Sequence, residues 1–501
     1  MMGTHSEFNR GNIPLTERKG GATFRPVYPF CEALMVRNCI FPGCGKPANS
    51  REHLFPASLG GLRVDKNIYC ADHNNALSPL TVTLSTQLSL INSLLGVRSG
   101  HSGRLHSFRT TDPVRGQEYL ISAHSTELAE PRYIESLQGD GDVQPRIEVS
   151  SERQLQQLLA RERSNGRHVP IGDRQEGIRY FVEPAHAKLQ FGGPEGLRAI
   201  GYVALTFLAH YFPEIARDPG LVEFTRSIIS NSDIRFVWWE SCEHLEGVCA
   251  NRYCFGHRIV LGLSAARQQA FARVSLFSTL DFAILFGEAR IESDRAVIVD
   301  IDPLADHAPN DIHVEHRQIC IADVYKPLSL TEELRDSIET GEGQRCFEQL
   351  LHNISVRDLE RVTKDLLPTF VGFGTLPAHE CRQQILATLG PHKQRILILL
   401  SKATKQLRSL FLANKEARLV PIIDGFVAGD PASPTGLSQI TECTLEIATG
   451  AVADEICRAL EHNQLDQDRL AQVLGGGQGI ATVGKAVLSC LMVAIGIVEK
   501  K

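Results

Sequence analysis

Several things are scarce in this sequence. There is no strong excess of charge of either sign: 52 Lys and Arg against 58 Asp and Glu leave a net charge of −6. That excludes a chain that coats nucleic acid along its whole length. Long apolar runs are missing as well. The one membrane suspect, the uncharged run from Ala486 to Val498, is shorter than the ~20 residues a span needs, so a buried terminal helix and no membrane partner are expected. The opening "MMGTHSEFNRGNIPLTERKGG" has no apolar stretch of the kind a secretory signal carries, which points to a cytoplasmic setting. Internal repeats and low-complexity tracts are absent too. With 43% hydrophobic residues, wholesale disorder is excluded.

Cysteine, by contrast, is plentiful. There are thirteen, an odd number, in a chain with no export signal. In a reducing compartment, clustered cysteines read as metal ligands before disulfides. Cys320, Cys346, Cys381, Cys443, Cys457 and Cys490 stand alone and read as small buried hydrophobes.

At 501 residues, about two to four domains are expected. Residues 1–35 read as a flexible leader and 36–110 as a unit dense in Cys, His, Asn and Gly. Residues 111–150 read as a linker, 151–325 as a mixed α/β domain, and 326–501 as a mainly helical domain. "SERQLQQLLARERSNG" opens on an N-cap serine, Ser151, with apolar residues at helical spacing, and "GGPEGLRAIGYVALTFLAHYFPEIARDPG" predicts a largely buried helix ended by Pro213 and Gly220. "HRIVLGLS" and "RAVIVDIDP" predict strands. The 36–110 unit holds eight Lys and Arg against three Asp and Glu, a net +5 inside an acidic protein. This asymmetry suggests an anionic partner for that unit alone.

The chemistry concentrates between residues 39 and 75. Cys39 and Cys44 flank "IFPG", and "CADHNN" brings Cys70 and His73. Two short chelating pairs, with enough chain between them to fold back, are what a tetrahedral Zn²⁺ needs. A unit this small has too little core to fold alone, so the zinc would be structural. Between the pairs lies "SREHLFPASLGG", where Glu52 and His53 run directly into an apolar turn. Asn67 precedes Cys70, and Asn74 follows His73.

This order, "EHLFPASLGG" then "NIYCADHN", resembles the HNH or ββα-metal endonucleases, in the variant with Glu-His and a structural zinc. The stretch "LSPLTVTLSTQLSLINSLLGVRSGHSGR" resembles that variant's helix and Gly-Arg tail. Two details depart from the family pattern: Cys-x4-Cys stands where Cys-x2-Cys is usual, and His73 where Cys is usual. The resemblance, which covers roughly residues 36–110, implies a small zinc-stabilised ββα-metal nuclease domain there; followed by the mixed α/β domain and the mainly helical region read from the patterns, it makes the expected fold class α+β. It implies hydrolysis of phosphodiester bonds, of double-stranded DNA above all. His53 would be the general base, Asn67 would orient it, and Glu52 with Asn74 would hold a catalytic Mg²⁺ or Mn²⁺. Asn75 competes with Asn74 for that role. Gly60 and Gly61 would permit the tight turn between the strands, with Phe55 and Pro56 filling the core behind it. Arg51, Arg98 and Arg104 would grip phosphates.

Two other readings stay open: a zinc-stabilised nucleic-acid-binding protein without catalysis, and an RNA-cleaving nuclease. The rest of the chain would recognise substrate, sense a signal or form a homo-oligomer. By analogy, a nuclease joined to such a region is a layout of bacterial phage-defence and mobile-element proteins. Weaker signals lie elsewhere. Cys242, His244, Cys249, Cys254 and His257 have spacing for a second zinc, with half-buried packing as the stronger reading. "GIATVGKA" lacks the Ser or Thr of a phosphate loop. Asp300 and Asp302 read as a strand-ending turn before Pro303.

Overall fold

The computed structural model describes residues 37–100, 102–112, 116–123, 125–137, 143–166, 172, 176–182, 191–230, 235–240, 251–305, 312–317, 341–430 and 433–496. Two very short strands come first, β1 (Glu52–His53) and β2 (Val64–Asp65), antiparallel and joined by one 3-10 turn at Ala57–Leu59. Helix α1 (Ala71–Gln87) follows, then α2 (Ser89–Leu95). Along α1, Leu77, Leu80 and Leu84 are buried, an i, i+3, i+7 stripe that faces the core.

The stretch expected to be a linker is built instead of strands. β3 (Phe108–Thr111), β4 (Glu118–Ile121) and β5 (Thr126–Leu128) form an antiparallel sheet, and β6 (Arg132–Leu137) pairs with β7 (Val143–Glu148). The signal is faint because the strands are short and carry many charges. Tyr119 and Leu128, directly opposite each other, are the buried pair that gives β4 and β5 an inner face. Helix α3 (Glu152–Ser164) starts where expected, with Ser151 Oγ accepting the Gln154 N–H.

Helix α4 (Gly193–Tyr211) is buried on nearly every side and ends just before Pro213. An all-round apolar helix needs cover on all sides, and α4 has it. It packs against α1 on one side and against β8–β11 of the main sheet on another. After α5 (Val222–Ser230) come β8 (Val237–Trp239), β9 (His257–Ser264), β10 (Gln269–Leu276), β11 (Leu280–Glu288), β12 (Arg295–Ile301) and β13 (Ile312–Arg317). Among the described residues these strands form one antiparallel sheet in the order β13-β12-β9-β10-β11-β8. Asp300 is bound by Arg258 through two bonds of 2.6 and 2.8 Å, and Asp302 Oδ1 accepts the Leu304 N–H. The pair is therefore one ion-paired strand residue and one turn residue.

The helical region consists of α6 (Glu342–Phe373), α7 (Ala378–Leu389), α8 (Lys393–Ala413), α9 (Val420–Gly425), α10 (Gln439–Glu461), α11 (Gln467–Leu474) and α12 (Gly477–Ala494). The molecule is thus mixed α+β with a helical C-terminal region, as expected. Among the described residues there are two hydrophobic cores. One joins residues of the 36–110 unit to α4, the sheet and Leu350 and Ile354; the other runs from Val362 to Leu491 within the helices. Helix α6 serves both cores, its first half the former and its second half the latter.

Helix α12 is long and apolar enough to cross a membrane, yet it buries Val483, Val487 and Leu491 in the second core. Leu488, Met492 and Val493 on its other side are exposed, so burial is confined to one stripe. "GIATVGKA" lies inside this continuous helix, not in a phosphate-binding loop.

A candidate metal and nucleic-acid site

The Cys39–Cys44 turn is shaped by its glycines. Gly43 and Gly45 both take positive φ, +74° and +46°, where a side chain would be strained. The turn is closed by the Cys39 N–H donating to the Lys46 carbonyl at 2.9 Å and Cys44 N–H to Phe41 at 3.1 Å. The second pair sits at the start of α1, with Cys70 as its N-cap and His73 in the first turn. Cys44 Sγ lies 3.7 Å from Cys70 Sγ, and His73 Nδ1 lies 3.4 Å from Cys39 Sγ and 3.3 Å from Cys70 Sγ. All four ligand atoms fall within 4.8 Å of one another.

A tetrahedron with metal–sulfur bonds of about 2.3 Å has edges of roughly 3.7 Å. The Cys3His cluster therefore has the size and donor set of a zinc site. Burial pushes the Cys39 thiol up to about 11. At Cys70 burial acts the same way but is outweighed by the His73 and Asp72 amides and the neighbouring thiols, which lower it. A bound metal would take these thiols as thiolates. An exposed Lys46–Asp72 ion pair ties the turn to α1.

The Glu-His pair occupies β1, in register with β2: Glu52 opposite Asp65, His53 opposite Val64. The turn between the strands needs both glycines. Gly60 has φ +89°, and a Cβ on Gly61 would stand 1.9 Å from the Phe55 carbonyl oxygen. Leu54 and Phe55 are almost wholly buried, so the apolar part of the motif fills the core behind the strand as expected.

Glu52 is half-buried. Its Oε1 accepts the Tyr202 hydroxyl at 2.5 Å. Burial raises the Glu52 pKa, and the Tyr202 and Asn74 bonds oppose that rise without cancelling it. Asn74 donates from Nδ2 to the Arg51 carbonyl at 3.3 Å, while its Oδ1 is buried with no hydrogen-bond partner. Glu52 and the unpartnered Asn74 carbonyl oxygen, on side chains in contact through the Asn74 amide, are hard-oxygen donors of the type Mg²⁺ or Mn²⁺ takes, so the chemistry of these residues fits such an ion.

Asn67 is set apart from this group. Its side chain is exposed in the bend after β2, its N–H donates to Asp65 Oδ1, and its carbonyl accepts from Arg217. The structure thus uses the Asn67 backbone as a turn anchor. Asn75 is also exposed.

The arginine loop docks on the turn of the hairpin. Gly100 N–H donates to the Ala57 carbonyl at 2.7 Å, and a Cβ on Gly100 would meet the Gly61 oxygen at 2.5 Å. Arg98 bonds the Gly103 carbonyl within this loop, and the Arg98 and Arg104 side chains are exposed. Arg51, Arg63 and Lys66, on and around the hairpin, are exposed too. His101 lies outside the described residues.

The residues that sequence reasoning missed come from far along the chain. Tyr202, Thr206 and His210 stand one helical turn apart on α4, polar positions in the apolar run "YVALTFLAH". Thr206 Oγ1 meets the Tyr69 hydroxyl at 2.9 Å, and His210 Nδ1 meets Asp65 Oδ2 at 2.5 Å. For Asp65 burial works upward, but the His210 bond and the Asn67 amide outweigh it and hold the carboxyl below its ordinary range. Arg217 clasps the Cys3His unit from outside, donating to the carbonyls of Asn38 and Asn67. Polar residues inside an apolar helix were the available signal for the α4 set; Arg217 had none.

His257 is also committed here. It is fully buried, accepts the Phe277 N–H at Nδ1, and so carries its proton on Nε2, which meets the Leu59 carbonyl at 3.2 Å. Both ring nitrogens are engaged, so His257 is no ligand for a second zinc. Cys254 is exposed, and Cys242, His244 and Cys249 lie outside the described residues. Compared with known proteins, the chain matches no family model, no curated protein and no solved structure.

Proposed function

We propose that this chain is a metal-dependent endonuclease that hydrolyses phosphodiester bonds in DNA. The observation that carries the reading is Glu52 hydrogen-bonded by the Asn74 side chain, whose own Oδ1 is buried without a partner, on a hairpin and helix that converge on a Cys3His cluster. In this reading Cys39, Cys44, Cys70 and His73 hold a structural Zn²⁺. Glu52 and Asn74 hold Mg²⁺ or Mn²⁺, which when bound neutralises charge on the phosphate and the departing oxygen. His53, next to Glu52 on β1, takes a proton from the attacking water at neutral pH. The exposed Arg98 and Arg104 loop and Arg51 hold flanking phosphates, and the +5 charge of the unit draws in the polyanion.

A second reading has one specific observation in its favour. Tyr202 draws Glu52 inward, which would also suit a structural carboxylate in a protein that binds nucleic acid without cutting it. Plasmid nicking in Mg²⁺ separates the two. The wild-type protein should nick, and His53→Ala should lose about 10²–10⁴-fold in rate while its gel shift is retained. Unchanged nicking by His53→Ala would remove its role as base. Gel shift without nicking by the wild type would leave the binding protein. A matched RNA substrate, run in parallel, tests the choice of DNA.

A further inference from the structure

Helix α4 lies more than a hundred residues beyond the motif, yet three of its side chains touch three separate parts of the hairpin-helix unit. Tyr202 reaches Glu52 on β1, Thr206 reaches Tyr69 at the entry to α1, and His210 reaches Asp65 on β2. Thr206 also donates to the Tyr202 carbonyl, and the rings of Tyr69 and Tyr202 lie 5.9 Å apart. These positions are i, i+4 and i+8, so they form one line on the helix surface. The opposite side of α4 packs on the main sheet, which leaves the helix little freedom to shift.

From this we infer that Tyr202 is a positioning residue for the proposed metal site: its hydroxyl holds Glu52 Oε1 and so sets the orientation in which the carboxylate, beside Asn74, would meet the ion. The inference rests on the nuclease reading of Glu52. A carboxylate bound through one oxygen has its rotation about the last side-chain bond restricted by whatever holds the other. Partners of this kind, one step removed from the ion, commonly change metal affinity about 10–100-fold when lost. Tyr202→Phe removes the hydroxyl and keeps the ring against Tyr69. Tyr69→Phe is the matched control, because it removes a buried hydroxyl from the same line without touching Glu52.

The test is Mn²⁺ binding to the full-length, zinc-loaded protein, followed by the loss of the free-ion electron paramagnetic resonance signal. Wild type should bind, Glu52→Gln should lose the site, and Tyr202→Phe should weaken the dissociation constant about 10–100-fold. Tyr69→Phe should bind as wild type does, and zinc content should be equal in all four. Unchanged affinity in Tyr202→Phe overturns the inference and leaves the nuclease reading standing. Equal weakening in both Phe variants overturns it as well, since loosened packing would then be the cause. If Glu52→Gln binds Mn²⁺ normally, or the wild type binds none, the metal-site reading itself fails and the inference falls with it.

Discussion

His257 shows how a residue outside the motif is bound to it. Its Nε2–H donates to the Leu59 carbonyl, and its ring lies 4.6 Å from that of Phe55. Burial pushes its pKa down to about 3. The unfolded chain takes up the same proton near pH 6.5. Between those values the unfolded state binds more protons, so this group makes stability rise with pH across that window. The expected slope is at most about 1.4 kcal/mol per pH unit. Thermal unfolding from pH 6.5 down to 4 should show a falling midpoint, and His257→Gln should flatten that fall while lowering the midpoint at pH 7. An equal slope in both proteins would show that His257 is not the titrating group. At this scale the sequence was informative where chemistry needs neighbours in order: Cys39, Cys44, Cys70 and His73 converge as their spacing implied. It was silent on His257 and Arg217, whose partners are backbone carbonyls, because any chain segment can supply a carbonyl.

At the scale of elements, the hairpin and the cysteine turn are too short to hold themselves. β1 and β2 have two residues each, and a ladder so short is marginal in water. Their order is imposed by the Cys3His cluster on one side and by α4 on the other. With zinc in the cluster, as proposed, chelation should therefore loosen only part of the molecule. We expect Cys39, Cys44 and Cys70 to become reactive to a thiol reagent, with amide exchange accelerating at residues 39–46 and 70–74. Strands β9–β12, buried along almost their whole length, should keep their protection. Hydrogen-exchange mass spectrometry with and without chelator reads both outcomes, and uniform loss of protection would contradict this division. Long periodic elements were legible: α3, α4, β9 and β12 fall where their patterns put them. The strands in 111–150 were not, because four to six polar-rich residues give too little alternation to stand out from a linker.

At the scale of the molecule, the 36–110 unit and the main sheet share one hydrophobic core. Phe55, Tyr69, Leu77, Leu80 and Leu84 would lose part of their cover without α4 and its surroundings. A fragment of residues 36–110 should thus give a poorly dispersed amide NMR spectrum even with zinc, while the full chain is dispersed. A well-dispersed, zinc-dependent spectrum from the fragment would show that its own core suffices. The reach of α4 back to Glu52 also has a consequence for synthesis. Cys39 through His73 leave the ribosome roughly 130 residues before Tyr202, which at about 5–20 residues per second is an interval of some 6–25 s. During that interval the nascent hairpin has only ties from its own side of the chain, the Cys3His cluster and bonds such as Ile40 N–H to the Ile68 carbonyl and Ser50 N–H to the Tyr69 carbonyl among them. In the proposed zinc reading, the choice of ion at the Cys3His cluster is therefore made by a half-built protein, against whatever metals and oxidants surround it then, before the helix that seals the hairpin has arrived.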